Sequence, residues 1–175
     1  MLQVNNLAGV AIPEHDPAWR RVVPLEMRRS KMNKSEKKKW VDAAGKAIET
    51  GKWAEIMCKA LGSRVASRWK YVSFRGKKEG EWRGIVDVLA IRKDTSKPSQ
   101  TGLKRGDLFE MIIIQIKGGK AKAPSASDIR RLKLVDAHYL AKHIVLYQWE
   151  KRKNSQFKVW EDGDWKPKEA VEIFG

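Results

Sequence analysis

The sequence predicts an α/β fold with a central mixed β-sheet flanked by helices. Two apolar, β-branched runs, residues 84–91 and 111–117, have the composition of buried strands. A helical pattern precedes them, and a second helix followed by an apolar strand comes after them. Because this second helix stands between two strands, it predicts a crossover that joins parallel strands. The order helix, three strands, helix, strand is typical of an α/β domain.

The composition indicates a basic protein of one domain with a polyanionic partner. The chain has 175 residues, with 37 Lys and Arg against 21 Asp and Glu, for a formal net charge of +16. This charge favours nucleic acid over a membrane as the partner. The single Cys58 excludes an internal disulfide and fits a reducing cytoplasm. We expect no membrane segment, since no apolar run approaches ~20 residues, and no signal peptide.

The first half of the chain is predicted to contain an arm, a helix and two strands. Residues 1–39 have three prolines and clustered basic residues, which predict a loosely ordered basic arm; residues 40–175 then form the single domain. Such an arm could instead track phosphates or pack on a second subunit. A helix is predicted over 35–61, capped by Ser35, with Gly51 as a candidate break and Gly62 as its stop. Strands follow at 65–75 and 84–91, separated by a charged turn at 77–81.

Besides the strand at 111–117, the second half is predicted to hold two further loops, a helix and two more strands. Residues 93–106 and 118–122 have the Gly-rich, polar composition of loops. Ser127 can cap a helix over 128–141, with Ile129, Leu132, Val135 and Leu140 facing inward. Residues 143–149 form another apolar strand, and 157–160 a short edge strand. From residue 162 onward the pattern is too weak to predict an element.

Polar residues interrupt the two apolar strands. Asp87 lies in the first run, and a carboxylate there is costly unless it is paired, hydrogen-bonded or bound to metal. Gln115 and Lys117 are two apart in the second run, so both side chains project from one face. On the first predicted helix, Glu55 lies close to the side that carries the apolar residues. The plainer interpretation of Glu55 is a rim residue paired with Lys52 or Lys59.

A helix Glu, a strand Asp and Gln115-Ile116-Lys117 on the next strand resemble the PD-(D/E)xK, restriction-endonuclease-like nuclease superfamily in its Gln-x-Lys variant. The resemblance covers residues 53–160. The basic Gly-rich loop, the segment Ser-Ala-Ser-Asp-Ile-Arg-Arg-Leu and the following strand are similar to archaeal Holliday-junction resolvases, whereas Gln-x-Lys is closer to Mrr-type endonucleases. Residues 1–39 match neither. The resemblance implies a metal-dependent DNA endonuclease that hydrolyses phosphodiester bonds, either structure-specific for junction or branched DNA or of restriction type.

The resemblance also implies roles for individual residues. Asp87, Gln115, the Ile116 carbonyl and Glu55 would hold Mg²⁺ or Mn²⁺, and Lys117 would act on the attacking water or the developing charge. Glu81 is the fallback for Glu55. Gln115 departs from the usual acid of the family, and an amide is a weaker ligand than a carboxylate. Cleaving a symmetric junction would require a homodimer.

Two groups of basic residues are candidate phosphate contacts. The first flanks the second strand and comprises Lys120, Lys122, Arg130, Arg131 and Lys133; the second comprises Arg75, Lys77 and Lys78. The plainer interpretation of the first group is a solvated helix face.

Other interpretations of the same residues remain open. Asp87 and Lys117 could form an ion pair at the sheet edge, with Gln115 bonded to backbone. The protein could be a non-catalytic nucleic-acid-binding protein on the same fold. It could also be a partner-binding protein without a site, with Asp87 and Lys117 lying apart or on opposite faces.

Overall fold

The computed structural model describes residues 33–74, 84–96, 98 and 101–175. The chain divides into two compact units, Met1–Asp42 and Ala43–Gly175. Residues 1–32 of the predicted basic arm and the predicted turn at 77–81 lie outside the described residues. No helix in the described part of the chain has the length and apolar character needed to cross a membrane.

The described elements follow the predicted order and add two at the C-terminal end. They are α1 Lys34–Val65, β1 Lys70–Ser73, β2 Val88–Lys93, β3 Phe109–Gly118, α2 Ala126–Tyr139, β4 His143–Trp149, β5 Gln156–Glu161, β6 Asp164–Lys168 and α3 Ala170–Phe174.

The strands form a six-stranded mixed sheet in the order β1-β2-β3-β4-β5-β6. Strands β3 and β4 are parallel, with Ile114 opposite Val145, and α2 connects them. All other neighbouring pairs are antiparallel. The predicted α/β class with a mixed sheet and flanking helices is therefore confirmed.

Alternate residues of β3 face two separate cores. Ile112, Ile114 and Ile116 pack in one core with Ala54 and Cys58 of α1. Ile113 packs in the other core with Leu132 of α2 and Ile144 of β4. Because strand side chains alternate between faces, the odd-numbered residues of β3 project toward the α2 side of the sheet. Both faces being covered explains why this strand is apolar along its length.

Helix α1 is longer than predicted, and it neither begins at Ser35 nor stops at Gly62. Its cap is Asn33, whose Oδ1 accepts from the Glu36 N–H at 2.8 Å while the Glu36 carboxylate accepts from the Asn33 N–H at 3.0 Å. The helix continues unbroken through Gly51 to Val65. Gly62 is buried inside it, at a point where a Cβ atom would overlap the Tyr71 hydroxyl oxygen. Gly62 thus permits Tyr71 to pack closely against the helix backbone, and it does not end the helix.

The cap and the last inward residue predicted for α2 are wrong. Ser125, not Ser127, is the N-cap: its Oγ accepts from the Asp128 N–H at 3.2 Å, and the Asp128 carboxylate accepts from the Ser125 N–H at 3.0 Å. At the other end Leu140 is the C-cap in the left-handed conformation, with φ 52°. This conformation turns Leu140 away from the core and leaves it 85% exposed.

Strand boundaries also differ from the prediction at three places. Strand β1 covers only four residues of the predicted 65–75, because α1 extends to Val65 and a turn follows it. Strand β2 begins at Val88, so Asp87 lies just before it. Strand β5 is not an edge strand, since β6 pairs along its outer side.

Candidate active site

Asp87 lies where the chain enters β2 and is held by two hydrogen bonds to β3 and one to Phe74, which follows β1. Its N–H donates to the Ile114 carbonyl at 3.0 Å, and its carbonyl accepts from the Phe74 N–H at 3.0 Å. Its carboxylate Oδ2 accepts from the Ile116 N–H at 2.6 Å. The Asp87 backbone therefore contacts the residue before Gln115 and its carboxylate the residue after it, so that Asp87 stands alongside Gln115.

The Asp87 carboxylate also satisfies the β3 backbone. Beyond the pair Val88 and Ile114, the regular β2–β3 ladder ends. The Ile116 N–H would then lack a strand acceptor on this side, and an unpaired buried N–H is costly. The carboxylate takes the place of that acceptor. In a strand the N–H and C=O of one residue point to the same side, so the Ile116 carbonyl also points toward the Asp87 side.

Gln115 is the one buried polar residue of the described core, with 5% of its surface exposed. Its Oε1 has no hydrogen-bond partner among the described residues. A buried acceptor left unsatisfied costs about 1–3 kcal/mol. Such an oxygen beside a carboxylate is free to coordinate a metal ion, and hard divalent ions prefer oxygen ligands.

Lys117 projects from the same face of β3 as Gln115, toward the N-terminal end of α2. Hydrogen bonds from Ser125, with smaller effects from the positive charges of Lys117 and Arg131, hold the pKa of Asp128 below its usual range. This influence places Lys117 and Arg131 near Asp128 in the first turn of α2. Among the described residues, the ion pairs include none between Asp87 and Lys117.

Glu55 approaches from the other side of the sheet. It lies on α1, is ion-paired with Lys59 at 2.7 Å and is 13% exposed in its side chain. It also accepts from the Ser73 hydroxyl at 2.5 Å. Of the two lysines considered as its partner, the structure pairs it with Lys59. Burial chiefly, then the negative charge of Glu55 and more weakly that of Asp87, raise the pKa of the Cys58 thiol.

The structure therefore brings Asp87, Gln115 and Ile116 together, with Lys117 next along the strand, and leaves Glu55 on the α1 side. The negative charges of Glu55 and Asp87 both act on the Cys58 thiol, that of Asp87 more weakly. Among residues 33–74, 84–96, 98 and 101–175, no three His, Cys, Asp or Glu side chains converge as a metal site would require. An ion held by these residues would rely on amide and backbone oxygens, and the fallback Glu81 lies outside the described residues.

The basic loop after β3 is held in place by two glycines. The Gly119 N–H donates to the Trp149 carbonyl at 2.7 Å, and its φ of +64° favours glycine. At Gly118 an added Cβ would lie 3.0 Å from the Thr50 carbonyl oxygen of α1. The contact between α1 and this loop was not predicted, although two successive glycines at the end of a strand are a signal for close backbone approach.

The predicted phosphate contacts of the first group are surface residues. They occupy the loop after β3 and the outer part of α2 and are all exposed: Lys120, Lys122, Arg130, Arg131 and Lys133. The second group, Arg75, Lys77 and Lys78, lies outside the described residues.

Comparison with known proteins gave no matching family model and no matching curated protein. Among solved structures, the fold is similar to that of a Holliday junction resolvase from the archaeal hyperthermophile Archaeoglobus fulgidus. The two chains are 12% identical, the match covers 67% of this chain and 98% of that one, and the TM-score is 0.38.

Proposed function

We propose that this protein is a metal-dependent DNA endonuclease that hydrolyses phosphodiester bonds. The observation that carries the proposal is the position of Asp87 alongside Gln115, whose buried Oε1 has no partner among the described residues, with Lys117 on the same strand face. A buried, unsatisfied oxygen beside a carboxylate and a lysine has no evident structural benefit. Together, an aspartate, a glutamine oxygen and a lysine are the groups that form the hydrolytic metal site in the Gln-x-Lys nucleases that the sequence resembles.

Asp87, the Gln115 Oε1 and the Ile116 carbonyl would hold Mg²⁺ or Mn²⁺. Bound there, the ion would supply charge neutralisation at the scissile phosphate and a more acidic water. Glu55 already binds Ser73 and Lys59, so its contribution would pass through a water molecule. Lys117, a compact point charge, would orient the attacking water or stabilise negative charge that develops on the phosphate.

The net charge of +16 and the exposed cations that flank the site support a polyanionic substrate. Lys120 and Lys122 on the loop, with Arg130, Arg131 and Lys133 on α2, would contact the phosphates on either side of the one that is cleaved. Such contacts position the backbone and carry no base sequence. We therefore propose junction or branched DNA as the substrate, with a homodimer acting on symmetric junctions.

A non-catalytic nucleic-acid-binding protein on the same fold is the second candidate. It is favoured by the amide of Gln115 where the family usually has an acid. It is also favoured by the lack, within the described residues, of three converging acidic, His or Cys side chains. In that case the basic surface would bind DNA and the site would have lost its activity.

A cleavage assay separates these candidates. The purified protein would be tested on a four-way junction, a linear duplex and single-stranded DNA, with Mg²⁺, Mn²⁺ or EDTA. Lys117→Ala should lower the cleavage rate by roughly 10²-fold or more, while Lys158→Ala, another half-buried strand lysine, should not. Asp87→Asn keeps an acceptor for the Ile116 N–H and removes the charge, so it tests the metal ligand without removing that bond.

Metal-dependent cleavage that is lost in Lys117→Ala and in Asp87→Asn, but kept in Lys158→Ala, would support the proposal. Tight DNA binding without cleavage of any substrate would favour the second candidate. Cleavage that persists in Lys117→Ala would remove this residue from the mechanism.

A further inference from the structure

A cavity of about 580 Å³ opens on the α2 side of the sheet. Its wall includes Ile85, Val86 and Leu89 from the β2 region, Ile113 from β3, and Val135 and Tyr139 from α2. The described residues that line it are apolar or glycine, apart from the hydroxyl of Tyr139. A volume of this size lies in the range of ligand pockets.

The cavity adjoins the candidate active site. Val86 immediately precedes Asp87, and Ile113 lies two residues before Gln115 on the same face of β3. A ligand group in the cavity would therefore lie next to a group bound at Asp87, Gln115 and Lys117.

Positive charge stands at the end of the cavity that meets the site. Arg131, Val135 and Tyr139 are four residues apart in turn, so they follow one side of α2. Val135 and Tyr139 line the cavity, whereas Arg131, one turn nearer the helix start, shares the surroundings of Asp128 with Lys117. An apolar wall with cations at one end is complementary to a nucleotide, which has a flat base and a charged phosphate.

We propose that this cavity receives an unpaired base of a DNA strand whose phosphate lies at the candidate active site. The substrate class is then DNA with an unstacked nucleotide, such as a bulge or the strand exchange point of a branch. This inference rests on the proposed function in that it requires DNA to be the polymer bound. Moving a base out of a duplex costs least where the base is already unpaired.

The chemistry of the wall also predicts what the cavity discriminates. Aliphatic side chains and the two aromatic rings of Phe74 and Tyr139 can stack on any of the four bases. Among the described lining side chains a single hydroxyl can form hydrogen bonds, so the cavity has few polar groups that could distinguish one base from another. The cavity should accept all four bases and reject an abasic site.

Equilibrium DNA binding in EDTA tests the inference without cleavage. Three duplexes of one sequence are compared: fully paired, with a single-nucleotide bulge, and with an abasic residue in the bulge. The wild type should bind the abasic bulge roughly five- to a hundredfold more weakly than the base-bearing bulge, the loss expected for one stacked base.

Variants of α2 assign the difference to the cavity. Val135→Phe places a bulky ring in the cavity and narrows the space for a base, and Tyr139→Ala removes part of its wall at a position that is 57% exposed and so tolerates truncation. Each should bind the two bulges equally. Leu134→Phe, on the same helix but 71% exposed and not part of the cavity wall, is the matched control and should keep the difference.

Equal binding of both bulges by the wild type would overturn the inference while leaving the proposed cleavage to its own assay. A difference that survives in Val135→Phe and Tyr139→Ala would also overturn it, because the base would then bind elsewhere. A protein that binds the base-bearing bulge more tightly than the abasic bulge but cuts no DNA would support the inference and refute the proposed hydrolysis. If Val135→Phe does not fold, Tyr139→Ala decides the outcome.

Discussion

Replacing Gln115 by Met tests directly whether its buried oxygen serves a ligand. Met has a similar length and no strong acceptor, so the substitution removes the unsatisfied Oε1 and keeps most of the packing. Without metal, the free energy of unfolding should rise by about 1–3 kcal/mol, the cost of an unpaired buried acceptor. In a chain of 175 residues each kcal/mol raises Tm by roughly 2–4 °C.

Mg²⁺ should reverse the order of stability, so that the wild type becomes more stable than the Gln115→Met variant. If Oε1 is a ligand, Mg²⁺ at a hundred times its Kd stabilises the wild type by about 2.7 kcal/mol, and the Met variant gains much less. The assay is thermal unfolding of both proteins in EDTA and across a Mg²⁺ titration. Gln156→Met, an exposed glutamine on β5, is the matched control and should change stability by less than about 0.5 kcal/mol under either condition.

Two results would refute this reasoning. A Gln115→Met protein that is less stable than the wild type in EDTA would mean that Oε1 has a hydrogen-bond partner after all. An equal response of both proteins to Mg²⁺ would mean that Oε1 does not bind the ion, whatever the cleavage assay shows.

Three further predictions concern the packing of α1, the cap of α2 and the proposed DNA-binding surface. Gly62→Ala should destabilise the protein by about 1–3 kcal/mol through overlap with the Tyr71 hydroxyl, whereas Gly45→Ala, with nothing near its added methyl, should stabilise the helix by up to about 1 kcal/mol. Urea unfolding measures both, and equal effects of the two substitutions would contradict the close approach of Tyr71 to Gly62. Ser125→Ala should cost about 1 kcal/mol and Ser127→Ala less than about 0.5 kcal/mol, and the reverse order would restore Ser127 as the cap. Lys122→Ala should lower the log–log salt slope of duplex binding by roughly 0.9, and an unchanged slope would show that Lys122 does not contact phosphate.

The central strands were predictable because their composition matches their burial. The apolar residues of β3 pack on both faces of the sheet, so the run of isoleucines in the sequence indicates such a strand without further information. The helix between two apolar strands likewise predicted the parallel pair β3 and β4. Both are properties of local composition and element order, which a sequence carries directly.

The ends of elements were less predictable because distant contacts decide them. Gly62 has the usual signature of a helix stop, yet its missing side chain is needed for contact with Tyr71 and Phe174, which the sequence does not place there. Ser125 and Ser127 both suit a cap, and only Ser125 has an acid three residues later to complete a capping box. That pattern was present in the sequence and could have decided between them.

The candidate site was predictable where it depends on strand register. Gln115 and Lys117 share a face because strands alternate, and their shared projection needs no tertiary information. The partner of Glu55 could not be predicted so well, because an ion pair between neighbouring turns and a contact to Ser73 compete with any site for the same carboxylate. The bond from the Ile116 N–H to Asp87 could not be predicted either, since it depends on where β2 leaves β3.

The amide at position 115 would separate folding from the proposed metal binding. A carboxylate buried to the same extent would carry a charge that only an ion or a shifted pKa could compensate, and the fold would then depend on the metal. Gln115 stays neutral, so its unsatisfied oxygen costs about 1–3 kcal/mol at most, which the apolar core around it can offset. The Asp87 charge meanwhile remains compensated in part by the Ile116 N–H. This arrangement can therefore stay folded without metal, and a metal-dependent change in stability reports on the site rather than on the fold.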